Sequence, residues 1–183
     1  MRLCRCTPAV AALLATVAVA QADADLAARE AKLHAAASKA LLSFARSAET
    51  AKWPSRARDA YALAVRAYAC DDPKAKAAAA GSAGSGSEAP PASARASVER
   101  GWATLARRYA VEHRQLAEAM LAAGDAVGAA RHFELCLVYE PGDVVAHRAL
   151  GHEEVAGFHG TAEQIAFLRR RLAIDERARA LVA

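Results

Sequence analysis

Asparagine does not occur anywhere in this chain of 183 residues, and only 5% of its residues are aromatic. With no Asn there is no N-x-S/T acceptor, so N-linked glycosylation is excluded. No stretch alternates apolar and polar residues between turn signals, so no convincing strand pattern exists. Without strands, the scaffolds that seat acyl and phosphoryl transfer are missing: no G-x-S-x-G occurs, and no Gly-rich loop can follow a strand. Charge of one sign is also lacking. The 24 Lys and Arg stand against 20 Asp and Glu and intersperse with them, as at Arg29-Glu30 and Glu99-Arg100, which is the pattern of solvated helix faces and not of a nucleic-acid surface. Cysteine is scarce: of four, Cys4 and Cys6 fall in the first twenty residues, leaving Cys70 and Cys136. Both sit in predicted helices. They pack as thiols, or pair if their Cα atoms come within about 7 Å.

What is present in quantity is alanine. It supplies much of the 55% hydrophobic content, and small side chains allow close helix packing while burying little area each. Marginal stability, or reliance on a partner, follows.

The first twenty residues have the composition of a signal peptide. Arg2 and Arg5 make a basic start, Pro8 to Val19 is an apolar run, and Ala18-Val19-Ala20 is a small-x-small cleavage site before Gln21. The alternative is a retained amino-terminal membrane helix. Export through cleavage predicts a periplasmic or extracellular protein with no membrane span. Its 163 residues would carry 22 basic against 20 acidic side chains, enough chain for one modest core or a short helical array.

Organisation follows from periodicity. Asp25 to Lys52 reads as one long Ala-rich helix, Trp53-Pro54-Ser55 as a break, and Arg56 to about Cys70 as a second helix. Ala77 to Ala96 loses all periodicity to Gly, Ser and Pro and predicts a flexible linker. Ser97 is the expected N-cap of the next helix, which runs to about Ala123. Gly124-Asp125 makes a turn, and Ala129, Phe133, Cys136 and Leu137 face back from another helix that Glu140-Pro141 stops. Asp143 caps a third, short helix. Gly157 to Gly160 interrupts, and Thr161 with Gln164 forms a capping box for a last helix carrying Ile165, Leu168 and Leu172. The units are thus 1–20, a hairpin over 21–76, the linker over 77–96 and a helical array over 97–183.

Residues 110–143 resemble a tetratricopeptide repeat. The small residues Ala117 and Ala129, the bulky residues one turn later and the closing Glu140-Pro141 all have counterparts in that family, within a span of about 34 residues. His113 stands where the family usually has Trp, and Met120 where it usually has Tyr. Leu41, Phe44, Ala45 and Ala48, then Ala57, Tyr61, Ala64 and Val65, suggest a degenerate first copy, with a plain helical hairpin as the alternative. The run LGHEEVAGFHGT resembles a tail that follows such repeats in some secreted bacterial proteins, with Gly160 in place of the usual aromatic.

The resemblance implies an all-α, right-handed solenoid of stacked helical hairpins whose first helices line a concave groove. Carried onto this chain, the groove comprises Lys39, Leu42, Arg46, Val111, Arg114, Glu118, Leu121, Val145, Arg148 and His152. The Lys/Asn clamp by which some members hold a terminal carboxylate cannot exist in its usual form without Asn. The expected function is a noncatalytic protein-interaction or assembly module of the bacterial envelope, binding an acidic, partly apolar protein or peptide segment, with no cofactor, no metal and no nucleic acid. One alternative is a structural accessory that forms homo-oligomers. An enzyme-class alternative, a metal-assisted hydrolase, would use His152 and Glu153 within the cluster His147, His152, Glu153, Glu154 and His159. His147 and His152 are five residues apart, which on a continuous helix points them to different faces, and the H-E-x-x-H order is absent.

Overall fold

The computed structural model describes residues 8–81 and 90–182. Arg2, Arg5, Cys4 and Cys6, and the centre of the expected linker, lie outside the described residues. The protein is mostly helical. Seven helices are described, with two short strands between the last two.

Helix α1 (Pro8–Thr50) buries Leu33, Ala37, Leu41, Phe44, Ala45 and Ala48, steps of three and four residues that keep one stripe against the rest of the chain. Lys52, with φ of 59°, turns the chain, and Pro54 opens α2 (Pro54–Tyr68), where its missing N–H costs no helical hydrogen bond. Helix α2 answers with Ala57, Ala60, Tyr61, Ala64 and Tyr68, and the two helices form an antiparallel hairpin. Ala69 adopts a left-handed conformation, and Cys70 N–H donates to the Ala64 carbonyl, ending the helix. The Asp72 carboxylate then accepts from Ala75 N–H at 2.9 Å and starts a short helix, α3 (Pro73–Ala80).

Helix α4 (Ala92–Ala122) is longer than the sequence reading places it. Ser97 lies inside it, not at its cap, and α3 and α4 each take part of the stretch expected as linker. Alanine dominates both ends of that stretch, and alanine extends a helix whenever an adjacent turn nucleates one. Gly124, with φ of 88°, makes the turn to α5 (Ala126–Tyr139). Asp125 caps that helix by accepting from Gly128 N–H at 2.8 Å. Helix α4 buries Ala106, Tyr109, Ala110, His113, Leu116, Ala117 and Met120; α5 returns Ala129, His132, Phe133, Cys136 and Tyr139. Asp143 caps α6 (Val144–Ala149), accepting from Ala146 N–H at 2.9 Å.

The interruption expected at 157–160 is a β-hairpin. Strands β1 (Glu153–Val155) and β2 (Phe158–Gly160) pair antiparallel, with Val155 opposite Phe158. Ala156 and Gly157 both have positive φ, the requirement of a two-residue type I′ turn. Helix α7 (Ala162–Val182) follows, held by the expected capping box: Thr161 N–H donates to Gln164 Oε1 at 2.9 Å, and Gln164 N–H donates to Thr161 Oγ1 at 3.4 Å.

The two long hairpins pack α1 against α4 in opposite directions. Phe44, late in α1, lies 5.3 Å ring to ring from Trp102, early in α4, while Leu33 shares a surface cleft with Glu112 and Leu116 much further along α4. In a superhelical stack each repeat follows from the last by a small rotation, so equivalent helices run the same way. Helices α1 and α4 do not. The hairpins instead enclose a shared core in which Tyr68, Tyr109, Tyr139, His113 and His132 meet, with Trp102 beside Tyr139.

Candidate metal centre and interaction face

Six histidines occur in the sequence, and the fold sorts them into two groups of three. His34 comes from α1, His113 from α4 and His132 from α5. His113 and His132 stack with ring centroids 5.1 Å apart, and His34 lies 5.6 Å from His132. Their nitrogens form an ordered series. His132 Nδ1 meets His113 Nδ1 at 2.9 Å, His113 Nε2 meets Tyr68 Oη at 2.7 Å, and Tyr68 Oη meets Tyr139 Oη at 2.7 Å. His113 and His132 are fully buried. Charging any of these rings would strand a cation in a poorly solvating interior, so burial lowers all three histidine pKa values, with Glu30 opposing the effect at His34 and His132. His113 falls furthest, to about 3, helped by the rings of His132 and His34. The imidazoles are therefore neutral at pH 7.

At and beside the open end of this series two nitrogens, His132 Nε2 and His34 Nε2, have no hydrogen-bond partner among the described residues, and both are buried as atoms. Glu30, one turn before His34, brings its Oε1 to 3.3 Å from His132 Nε2 and 3.8 Å from His34 Nε2. The nearer approach is misaligned with the ring N–H direction and makes no hydrogen bond. Arg131 Nη2 donates to the same Oε1 at 2.6 Å. Beside this corner opens a pocket of about 400 Å³ lined by His34, Arg66, Arg131, Glu134, Leu135 and Val138.

The second group is arranged to satisfy itself. His147 Nε2 lies 2.7 Å from the Pro141 carbonyl, which can only accept, so that nitrogen carries the proton and donates. His147 Nδ1 then accepts from His152 Nδ1 at 2.8 Å, and His159 stacks on His147 at 4.3 Å. Both nitrogens of His147 are occupied. His147 and His152 meet, contrary to the separation expected from their spacing, because α6 ends at Ala149 and Gly151, with φ of 69°, turns the chain back. Glu153 is drawn away to Arg169 on α7 at 3.2 Å.

The residues carried over as a groove divide between two surfaces. Val111, Arg114, Glu118 and Leu121 occupy one side of α4, all at least partly exposed. Arg114 joins that side to α6, donating to Asp143 Oδ2 at 2.7 Å. Val145 and Arg148 are exposed on α6 itself, and His152 follows it. Burial alone would raise the Asp143 carboxyl, but the Ala146 N–H and the Arg114 guanidinium outweigh it and hold the pKa below the usual range. Lys39, Leu42 and Arg46 stay on α1, and Arg46 faces Asp72 at 4.0 Å. Among the described residues Cys70 and Cys136 form no disulfide and are buried thiols. Burial, with Asp143 nearby, pushes the Cys136 thiol up to about 12, so it stays protonated.

His34, His132 and Glu30 carry no signature that singles them out in the sequence beyond Glu30 and His34 standing four apart. His113 was visible only as an unusual residue at a Trp position of the repeat pattern. No family model, curated protein or solved structure matches the chain.

Proposed function

We propose that this protein is a noncatalytic helical interaction module, exported through its amino-terminal segment. The observation that carries this reading is the amount of large apolar side chain left in solvent on successive elements: Leu121 on α4, Val127 and Val138 on α5, Val144 and Val145 on α6, then Phe167, Leu172 and Ile174 on α7. Single exposed apolar residues are ordinary, and this reading takes the number of them on α4 to α7 as surface left open for a partner. The local likeness of α4, α5 and α6 to a tetratricopeptide unit supports placing the partner along α4 and α6. Val111, Leu121 and Val145 would supply apolar contact, and Arg148 would pair with an acidic group. Arg114 has a different part in this reading. Its charge is matched by Asp143, so it joins the two helices and does not reach for the partner.

Helix α7 favours a second reading, self-association. Among the described residues it packs chiefly on the two short strands, and Phe167 and Ile174 remain 61% and 65% exposed. Five arginines against three acidic residues on that helix leave it basic, and a second copy would have to offset like charges while covering the apolar side chains.

A photoreactive amino acid placed at Val145, at Phe167 or at the exposed control Asp59 separates these readings in intact cells. We expect an adduct with another protein from Val145 and none from Asp59. Adducts between copies of this chain from Phe167 alone would favour self-association, and the absence of adducts from both sites would overturn the interaction reading. Export is checked separately: amino-terminal sequencing should find Gln21 or Asp23 first, and an intact Met1 on envelope material would count against cleavage.

A further inference from the structure

We infer that Glu30, His34 and His132 form a binding site for a divalent transition-metal ion of the zinc class. The three side chains each offer one ligand atom, and those atoms all lie within 4.8 Å of one another. A tetrahedral ion with bonds of about 2.0–2.2 Å needs ligand atoms about 3.3–3.6 Å apart. The 3.3 Å from Glu30 Oε1 to His132 Nε2 falls within that span, and the 3.8 Å to His34 Nε2 exceeds it by about 0.2 Å, a gap that rotation of the partly exposed Glu30 and His34 side chains can close. Glu30 and His34 are four residues apart on α1 and share one face, while His132 reaches in from α5. Two imidazole nitrogens and one carboxylate oxygen suit zinc and its first-row neighbours better than calcium or magnesium, which take oxygen.

The unsatisfied nitrogens are the feature that a purely structural account leaves unexplained. A buried imidazole nitrogen without a partner is costly, and here two of them converge on one carboxylate. A cation between them satisfies all three groups. Neutral imidazoles are the ligand form, so little proton competition opposes binding at pH 7.

Behind the ligands stands an orienting shell. With an ion on His132 Nε2, His132 Nδ1 carries the hydrogen and donates to His113 Nδ1; His113 Nε2 donates to Tyr68 Oη, and either phenol can donate in the last link between Tyr68 Oη and Tyr139 Oη. Every link has a donor and an acceptor. Arg131 is the opposing element, since its guanidinium holds Glu30 Oε1. It is 62% exposed and can swing into water when the ion takes that oxygen. Three protein ligands leave a fourth position. The adjoining pocket, with Arg66 and Arg131 at its rim, gives that position room for water or a small anion.

The test uses the full chain stripped by a chelator and titrated with cobalt(II), then zinc. We expect one equivalent of cobalt to bind with the visible d–d absorption of the bound ion, zinc to displace it, and the melting temperature to rise with either metal. Glu30→Gln and His34→Gln, both at partly exposed positions that tolerate a neutral replacement, should each weaken binding at least about tenfold with unchanged circular dichroism. His152→Gln should bind as the unaltered chain does. Absence of cobalt binding to the unaltered chain, undiminished binding in both Glu30→Gln and His34→Gln, or an equal loss in His152→Gln would overturn the assignment.

Discussion

Acidification from pH 7 to pH 5 should cost the fold about 2 kcal/mol through His113 alone. The ring is fully buried, and its pKa falls from 6.5 to about 3 in the folded chain. An unfolded histidine takes up a proton near pH 6.5, whereas the folded one does not until about pH 3. Between those values the unfolded state binds more protons, so stability falls as pH falls, at up to about 1.4 kcal/mol per pH unit. The contribution is whole above pH 6.5, and its loss is complete below about pH 3. His34 and His132 shift in the same direction and steepen the decline. Urea unfolding at pH 7, 6 and 5 measures it. His113→Gln should be less stable than the unaltered chain at pH 7 but flatter across the series, because an amide does not titrate. A stability that holds level from pH 7 to pH 5 would mean that His113 is solvated enough to charge within the folded protein.

Truncating Leu41 to Ala should cost about 2–5 kcal/mol. Leu41 has no exposed surface, and most of the side chains around it on the inner stripe of α1 are alanines that cannot expand into the space left behind. Single domains hold only about 5–15 kcal/mol in total, and a core this rich in small residues has few large side chains to spread the loss over. Leu121→Ala, on an exposed side of α4, should change stability by about 0.5 kcal/mol or less. Chemical denaturation of both variants gives the comparison directly. Equal losses at the two positions would place Leu121 in a buried contact and remove it from the proposed binding face.

Helices were legible where the signals are local. The Gly124-Asp125 turn, the stop at Glu140-Pro141, the Asp143 cap and the Thr161–Gln164 capping box are decided within a few residues, and each is found where the sequence puts it. The hairpin at 153–160 was hidden because Ala156, and not Asn or Asp, takes the first left-handed position of its turn, and because strands of three residues are too short to alternate visibly. The opposite directions of α1 and α4 were hidden for another reason. Periodicity fixes which face of a helix is buried but carries no information about which helix covers it or from which end. The Glu30, His34 and His132 corner depends on that arrangement, so its members look like unrelated residues on two amphipathic helices. The groove residues met the opposite fate: the resemblance to a tetratricopeptide repeat named them, but it carried with it an equivalence between α1 and α4, and Arg46 faces Asp72.

The row from His132 through His113 and Tyr68 to Tyr139 has a further property that follows from counting hydrogens. Neutral imidazoles and phenols give one polar hydrogen to each of the four members, but only three bonds connect them. One hydrogen is always left over: on His132 Nε2 beside Glu30, on Tyr139 Oη in the core, or on Tyr68 Oη when that oxygen accepts from both of its neighbours. Clearing His132 Nε2 requires the two imidazoles to exchange tautomers together, as a file of dominoes falls one way or the other, and the surplus hydrogen then lies on a phenol. What happens to a single nitrogen at the edge of α5 is thereby passed, without any displacement of backbone, to the hydroxyls of Tyr68 and Tyr139, the latter on a ring that lies 6.1 Å from the indole of Trp102.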